Sequence, residues 1–272
     1  MIDNSRQRTF LEYALSVLVL AIIVTYGYGH SLTVTYPGFD FSIGNSTITR
    51  IYTIDSSSQE LRPGDKLLQV DKIAFEAYVD TLGHPLFTGV QPGEAVTIQV
   101  LRGKQVVDVL WVIPSPDLLD ILERLIVFWL PFVVWSAGTA TLFLVRPKDA
   151  RWRLLSASSY LTAVWLAAGL ASSVGIWHAS EVMRMAIWVC LPVYLHLHWV
   201  FPRSLGHLPV PLKWGIYSIS VFLAVAQWFQ AFPIGAYYIG FIISLSGSLL
   251  LLAIHAIFQP DQRYTLRLSG GI

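Results

Sequence analysis

The sequence is poor in cysteine and in charged residues. Cys190 is the only cysteine among 272 residues, so the chain cannot form an internal disulfide, and cysteine usage gives no information on its redox compartment. Charged residues make up 13% of the chain, whereas an average soluble domain has about 25%. The net charge of +1 comes without the basic stripe that is typical of nucleic-acid-binding proteins, so we expect no nucleic-acid partner.

Motifs of several enzyme classes are also absent. The sequence contains no His-Glu-x-x-His zinc motif, no Gly-x-Ser-x-Gly nucleophile turn and no Gly-x-x-x-x-Gly-Lys-Ser/Thr phosphate loop. We therefore predict no catalytic residues, no metal site and no cofactor in this chain. Whether the whole protein is an enzyme is left open by these absences.

Long apolar segments are abundant, and hydrophobic residues make up 54% of the chain. A helix needs about 20 apolar residues to cross a bilayer core. The first segment is followed by the aromatic residues of "TYGYGH" rather than by a small-residue cleavage site, which favours a retained span over a signal peptide. The sequence predicts an α-helical polytopic membrane protein with about six transmembrane helices, at 11–28, 125–145, 154–176, 185–201, 214–232 and 236–258.

Lysine and arginine in short loops indicate the orientation, because such loops are retained on the cytoplasmic side. They occur before the first predicted span and after the second, fourth and sixth. This pattern places both termini in the cytoplasm and residues 31–114 outside. The residues concerned are Arg6, Arg8, Arg146, Lys148, Arg151, Arg153, Arg203, Lys213, Arg263 and Arg267.

Small residues four apart, such as Ala167 with Ala171 and Gly240 with Ser244, allow helices to approach closely in lipid. Packing within one bundle explains them, and a homodimer is left open.

Residues 31–114 have the pattern of a water-soluble β domain. The stretch "STITRIY" alternates, and "AVTIQVLRGKQVVDVLWV" contains two β-rich runs joined by Arg102-Gly103-Lys104, which predicts a hairpin. Between them, "LRPGDKLLQVDKI" combines a turn with alternating apolar residues.

This segment resembles a PDZ domain. The run "GFDFSIGN" is similar to the carboxylate-binding loop and following strand of that family, and "LRPGDKLLQVDKI" is similar to its Leu-x-x-Gly-Asp signature. The resemblance implies a PDZ-like β/α domain inserted between the spans, which binds a peptide or protein by β-augmentation. The implied groove residues are Gly38, Phe39, Asp40, Phe41, Ser42 and Ile43.

One residue departs from the PDZ pattern. Asp40 stands where the family has the second glycine of Gly-Leu-Gly-Phe, and its carboxylate would repel a ligand's carboxylate. An internal peptide segment, a docking surface within the chain and a spacer without ligand are the alternatives to a terminal peptide.

Histidines occur inside the fourth predicted span, in "YLHLHWVFP". Polar residues at membrane depth are functional candidates, but His196 and His198 are two apart and so point to different faces of a helix. The alternatives for this pair are an interfacial position, a sensing or bundle-locking site, and metal or haem ligation. His255 is a candidate partner. Pro131 and Pro192, inside the second and fourth predicted spans, are positions at which helices are expected to kink and a bundle could flex.

The stretch "SPDLLDILERL" indicates a helix capped by Ser115 or Asp117. We expect that helix to continue without a break into the second span.

The order of parts, with the stretch "LHLHWVFPR", resembles the membrane input region of bacterial sensor histidine kinases of the quorum-sensing type. The resemblance implies a sensory region in the bacterial plasma membrane that passes an outside cue to a kinase following Arg267. A non-catalytic PDZ-containing scaffold and a protease with its site elsewhere are the alternatives. The expected domains are a tail with the first span (1–30), the PDZ-like domain (31–114), a five-helix bundle (115–258) and a cytoplasmic segment (259–272) at which a longer protein continues.

Overall fold

The computed structural model describes residues 4–42, 44–52, 61–81, 86–87 and 89–258. The chain forms two compact units. The helical unit comprises Met1–Ile23, Leu130–Ala168 and Glu181–Ile272, and the sheet unit comprises Val24–Trp129 and Gly169–Ser180.

The sheet unit contains two antiparallel sheets. Strands β1 (Phe39–Phe41) and β2 (Ile48–Ile51) pair with each other. The second sheet contains β3 (Lys66–Val70), β4 (Ile73–Ala74), β5 (Ala95–Arg102) and β6 (Gln105–Val112), in the order β4-β3-β5-β6. Helix α2 (Phe75–Thr81) follows β4, and helix α3 (Leu118–Ile126) follows β6. The predicted hairpin is confirmed, because β5 and β6 pair up to Arg102 and Gln105 around Gly103, whose φ is +63°.

Alternation along the strands produces the core of this unit. On β5, Val96, Ile98 and Val100 are buried, as the two-residue period of a strand requires. They pack with Ile48 and Trp111 in one hydrophobic cluster. The core therefore comes from the alternating apolar residues that the sequence shows.

The remaining helices are long and apolar. They are α1 (Asn4–Tyr28, extended by a π-helical turn at Gly29–Thr33), α4 (Trp129–Leu144), α5 (Ala150–Ser172), α6 (Ala179–Val200), α7 (Val210–Trp228) and α8 (Tyr237–Phe258). Within the described residues, four spans are long and apolar enough to cross a membrane: Phe10–Thr33, Ala150–Ser172, Val210–Trp228 and Ile234–Phe258. A fifth is present if the bent pair α3 and α4 counts as one span. The chain is a multi-pass helical membrane protein with a small sheet region.

Residue burial on the last two helices suits a lipid environment. The buried residues of α7 are Ser220, Ala224 and Gln227, and those of α8 are Gly240, Ser244, Ser248 and His255. Large apolar side chains such as Phe222 and Ile242 are exposed instead. Polar and small residues inside and apolar residues outside are what a bundle in lipid requires.

Contacts along α1 and α4 fix their relative direction. Ser16 Oγ lies 2.9 Å from Thr139 Oγ1, and the rings of Tyr13 and Phe143 stack with centroids 5.1 Å apart. As the residue number falls on α1 it rises on α4, so the two helices are antiparallel.

The same kind of evidence shows that α4 and α5, α5 and α6, and α6 and α7 are antiparallel pairs. In each pair, two hydrogen bonds join residues whose numbers change in opposite directions. The bonds are Trp152–Thr141 and Tyr160–Thr139 for α4 with α5, Arg151–Pro202 and Thr162–Tyr194 for α5 with α6, and His196–Tyr217 and Gln230–Glu181 for α6 with α7.

Helices α6 and α8 are parallel, because residue numbers rise together along their contacts. The contacts are Trp188 with Gly240, Leu195 with Gly247, and the His198 carbonyl oxygen with His255 Nε2.

The expected continuous helix from the 115–125 stretch into the next span is wrong. Helix α3 ends at Ile126, α4 begins at Trp129, and the pair is bent by 46°. Pro131 supplies a physical reason, since a proline ring clashes with the carbonyl four residues earlier, here that of Val127. Of the two expected caps the structure uses Asp117, which forms a capping box with Asp120.

Candidate ligand-binding site

A cavity of about 470 Å³ lies within the sheet unit. Its walls come from the end of α1, the segment 34–37, β1, α2, α3 and residues 173–174. Such a volume falls within the range of about 300–1,000 Å³ that is usual for small-ligand sites. The cavity is therefore large enough for one side chain of a peptide with its neighbours, or for a small molecule.

The predicted groove residues are partly brought together here. Phe39, Asp40 and Phe41 of β1 line the cavity, whereas Gly38 and Ser42 are not among its lining residues. Ile43 lies outside the described residues. Gly38 has a φ of +76°, a conformation that glycine adopts without strain, and it precedes β1.

Strand β1 has a strand neighbour on one side only, as far as the structure describes the chain. Phe41 packs against α2, with its ring centroid 5.9 Å from that of Phe75 and 6.4 Å from that of Tyr78. Aromatic rings therefore separate β1 from α2 at the place where the PDZ resemblance implies a groove.

Two tyrosine–aspartate hydrogen bonds shape the polar wall. The Tyr36 hydroxyl donates to Asp120 Oδ1 at 2.8 Å, and the Tyr52 hydroxyl donates to Asp40. Burial and the bond to Asp120 raise the pKa of Tyr36 above its usual value, and the bond to Asp40 with burial raises the pKa of Tyr52 to about 12. Both phenols therefore stay neutral at physiological pH and act as donors.

Arg124 is the cationic side chain of this wall. Its Nη1 donates to the Val34 carbonyl oxygen at 3.2 Å, and its guanidinium carbon lies 6.0 Å from the centroid of the Tyr36 ring. Glu123 of the same helix also lines the cavity. Three carboxylates, those of Asp40, Asp120 and Glu123, thus share the lining with one guanidinium.

Hydrogen bonds fix the segment between α1 and β1 to the core. Trp111 Nε1 donates to the Pro37 carbonyl oxygen at 2.7 Å, and Thr35 Oγ1 donates to the carbonyl oxygens of Phe87 and Val90 at 3.1 and 3.0 Å. Tyr36, which follows Thr35, is consequently held at the cavity.

Sequence reasoning missed part of this wall. Tyr36, Tyr52 and Arg124 were not among the predicted site residues, and Asp120 was considered only for the start of a helix. The signal that could have found the α3 part of the wall is the run Asp120, Glu123 and Arg124, whose spacing of three and four places these residues on one face of α3.

The predicted transmembrane candidates have separate partners. His196 Nδ1 lies 3.2 Å from the Tyr217 hydroxyl, and His198 Nδ1 lies 2.8 Å from the Tyr194 carbonyl oxygen of its own helix. His255 Nε2 lies 2.8 Å from the His198 carbonyl oxygen. The structure therefore connects His255 to the backbone of His198 and leaves His196 with a different helix.

Pro192 and His196 line a second cavity of about 250 Å³ in the helical unit, together with Lys213 and Tyr217. Within the part of the chain that the structure describes, no group of three or more His, Cys, Asp or Glu side chains could hold a metal ion.

Comparisons with known proteins give no further identification. No protein-family model, no curated protein and no solved structure matches this chain.

Proposed function

We propose that this chain is the signal-receiving membrane region of a bacterial sensor. A PDZ-like domain outside the cell meets a peptide or protein cue, and six spans pass the signal to a cytoplasmic output, a histidine kinase of the quorum-sensing type. The observation that carries the proposal is that Asp40 of the predicted groove and Asp120 of α3 line the same cavity.

A ligand in this cavity would contact α3 directly, because β1 and α3 line the same cavity. A molecule in the cavity contacts both β1 and α3, and the helix is followed after two residues by α4. A ligand shifts a two-state protein only through its different affinity for the two states. The Tyr36–Asp120 and Arg124–Val34 hydrogen bonds are the contacts that such a ligand would strengthen or weaken.

The helix directions support six spans with both termini in the cytoplasm. From α4 to α8, each helix is antiparallel to the next helix in the sequence. Helices α6 and α8, which are two apart in the sequence, are therefore parallel. Such alternation is what a chain that crosses the bilayer at every helix produces. It agrees with the positions of Lys148 and Arg203 in loops, and of Lys213 near the start of α7, on the same side.

The experiment that tests transmission needs no known ligand. In a Cys190→Ala background, His207→Cys in the exposed loop before α7 reports on the cytoplasmic side through its rate of thiol modification in lipid nanodiscs. Tyr36→Phe removes the bond to Asp120 and should change that rate several-fold. Tyr28→Phe, an exposed tyrosine outside the cavity lining, is the matched control.

An unchanged rate in Tyr36→Phe would overturn transmission. The favoured alternative would then be a non-catalytic scaffold that recruits partners or protease substrates, for which the one-sided edge of β1 is sufficient.

A further inference from the structure

We infer that the cavity of the sheet unit binds a cationic group, the ammonium or guanidinium of a basic peptide side chain or of a free amine. The inference rests on the proposed function, because it names the chemistry of the cue that the same cavity receives. It reverses the charge of the ligand that the PDZ resemblance implies.

Charge is the first observation. Asp40, Asp120 and Glu123 line the cavity, and Arg124 is the single arginine or lysine among its lining residues. Arg124 Nη1 donates to the Val34 carbonyl oxygen, so part of its donor capacity is used within the chain. Three carboxylates line the cavity, against the guanidinium groups of Arg124 and, beside the Tyr52 ring, of Arg50, so the charge balance favours a cation over a carboxylate.

Aromatic rings are the second observation. The cavity includes Tyr36 and Tyr52, whose ring centroids are 6.4 Å apart. Each ring already has an arginine of the chain near its face: Arg124 at 6.0 Å from the centroid of Tyr36 and Arg50 at 4.8 Å from that of Tyr52. These rings therefore accept cations, as electron-rich ring faces do, and a ligand cation can use the same attraction.

The test uses the full chain in nanodiscs of neutral lipid and matched probes without terminal charges. The probes are the acetylated and amidated tripeptides Ala-Lys-Ala, Ala-norleucine-Ala and Ala-Glu-Ala, with 1,5-diaminopentane as a free amine. Binding is measured by saturation-transfer NMR. We expect the lysine peptide to bind at least tenfold more tightly than the norleucine peptide and the glutamate peptide to bind least. The ratio between peptide and diamine distinguishes the two sources of the cation.

Charge reversal at the wall provides the variant. Glu123 is exposed and lies outside the capping box of α3, so Glu123→Lys should keep the fold and weaken binding of the lysine peptide at least tenfold. Asp108→Lys reverses an exposed charge of β6 that does not line the cavity, and it should leave binding within about twofold.

Three outcomes would overturn the inference: equal binding of the lysine and norleucine peptides, tightest binding of the glutamate peptide, or no binding of any probe at millimolar concentration. Each leaves the proposed function standing if Tyr36→Phe still changes the modification rate of the His207→Cys protein. Loss of that response instead counts against transmission, whichever probe binds.

Discussion

Asp65 accepts two hydrogen bonds from Arg102, from Nε at 2.9 Å and from Nη2 at 2.7 Å. The pair joins the turn before β3 to the end of β5, and the backbone N–H of Arg62 donates to the same carboxylate. Asp65 is 3% exposed, so the charge is held by these three bonds rather than by water. The Gly-Asp of the predicted PDZ signature thus has a structural function in this chain, since it fixes the turn to the sheet.

The Asp65–Arg102 pair predicts a stability loss in Asp65→Asn. Removing a buried charged acceptor should lower the free energy of unfolding of the sheet unit by roughly 2 kcal/mol. Asp108→Asn, on an exposed carboxylate of β6, should change it by less than about 0.5 kcal/mol. Hydrogen exchange of β3 and β5 in the full chain measures both, and equal exchange in the two variants would contradict the prediction.

The same carboxylate predicts an acid dependence. Burial alone would raise the pKa of Asp65, but the hydrogen bonds from Arg102 and from the Arg62 backbone lower it below its usual value of 3.8. A group whose folded pKa is depressed contributes stability that is complete above the unfolded pKa and is lost as the pH falls through the folded one. Exchange protection of β3 should therefore fall below about pH 4 in the parent and change less over that range in Asp65→Asn.

Residues 31–114 should fold on their own. Every buried member of the hydrophobic cluster, from Phe39 to Ile113, lies inside this segment. The isolated segment loses the Tyr36–Asp120 bond, the Arg124–Val34 bond and the bond from the Tyr78 hydroxyl to the Ser173 carbonyl oxygen, but none of the core. We expect a soluble β-rich protein with dispersed amide resonances and cooperative unfolding; collapsed resonances would show that the segment needs its neighbours.

Gly240 should be intolerant of a side chain. A Cβ there would lie 2.9 Å from Cε3 of Trp188, a ring atom that cannot move alone, whereas a Cβ at Gly215 would meet nothing within 4 Å. Gly240→Ala should destabilise the bundle by about 1–3 kcal/mol, and Gly215→Ala should be neutral or stabilising. Cys190, the only cysteine and a buried one, reports unfolding by its exposure to a thiol-reactive dye on heating. If Cys190 becomes reactive at the same temperature in Gly240→Ala and in Gly215→Ala, the close contact of Gly240 with Trp188 is contradicted.

The sequence predicted much of this architecture because its signals are local. Alternation over 95–112 and the Arg102-Gly103-Lys104 turn are sufficient to predict the hairpin, since both depend on neighbours along the chain. A kink at Pro131 was expected, but the break before α4 was not, because the effect of a proline falls on the carbonyl four residues earlier. It could have been read from the sequence.

The cavity could be predicted only in part. Phe39, Asp40 and Phe41 were found through the PDZ resemblance, but Tyr36 and Asp120 are separated by 84 residues, and no periodicity reports a hydrogen bond over that distance. The same holds for His255 and the His198 carbonyl oxygen, which are 57 residues apart. Such contacts depend on how elements pack, which a single sequence does not record.

The proposed topology predicts which side of the membrane each loop faces. In a Cys190→Ala background, Lys104→Cys in the β5–β6 turn should react with an impermeant thiol reagent added to intact cells, and His207→Cys should react only after the cells are permeabilised. Both side chains are exposed, so burial does not explain a difference between them. Labelling of both positions, or of His207→Cys alone, would refute the proposed orientation.

The last prediction concerns the connection between β6 and α3. Strand β6 ends at Val112, and Ile113 remains attached to the sheet through hydrogen bonds with Glu94 and Gly93. Asp117 already caps α3. Only Pro114, Ser115 and Pro116 lie between these fixed points, and two prolines make that connection stiff.

A stiff connection is suited to transmit a bias from the sheets to α3, so a flexible insertion should uncouple them. Inserting Gly-Ser-Gly-Ser after Pro114 should abolish the response of the His207→Cys modification rate to Tyr36→Phe, while hydrogen exchange of β3 and β5 stays at the parent level. Inserting the same residues between Gly103 and Lys104, at the tip of the hairpin, is the control, because that turn lies outside the path from the cavity to α3. If the insertion after Pro114 leaves the response intact, the signal does not pass through this connection. The remaining route to α3 is then the pair of hydrogen bonds Tyr36–Asp120 and Arg124–Val34.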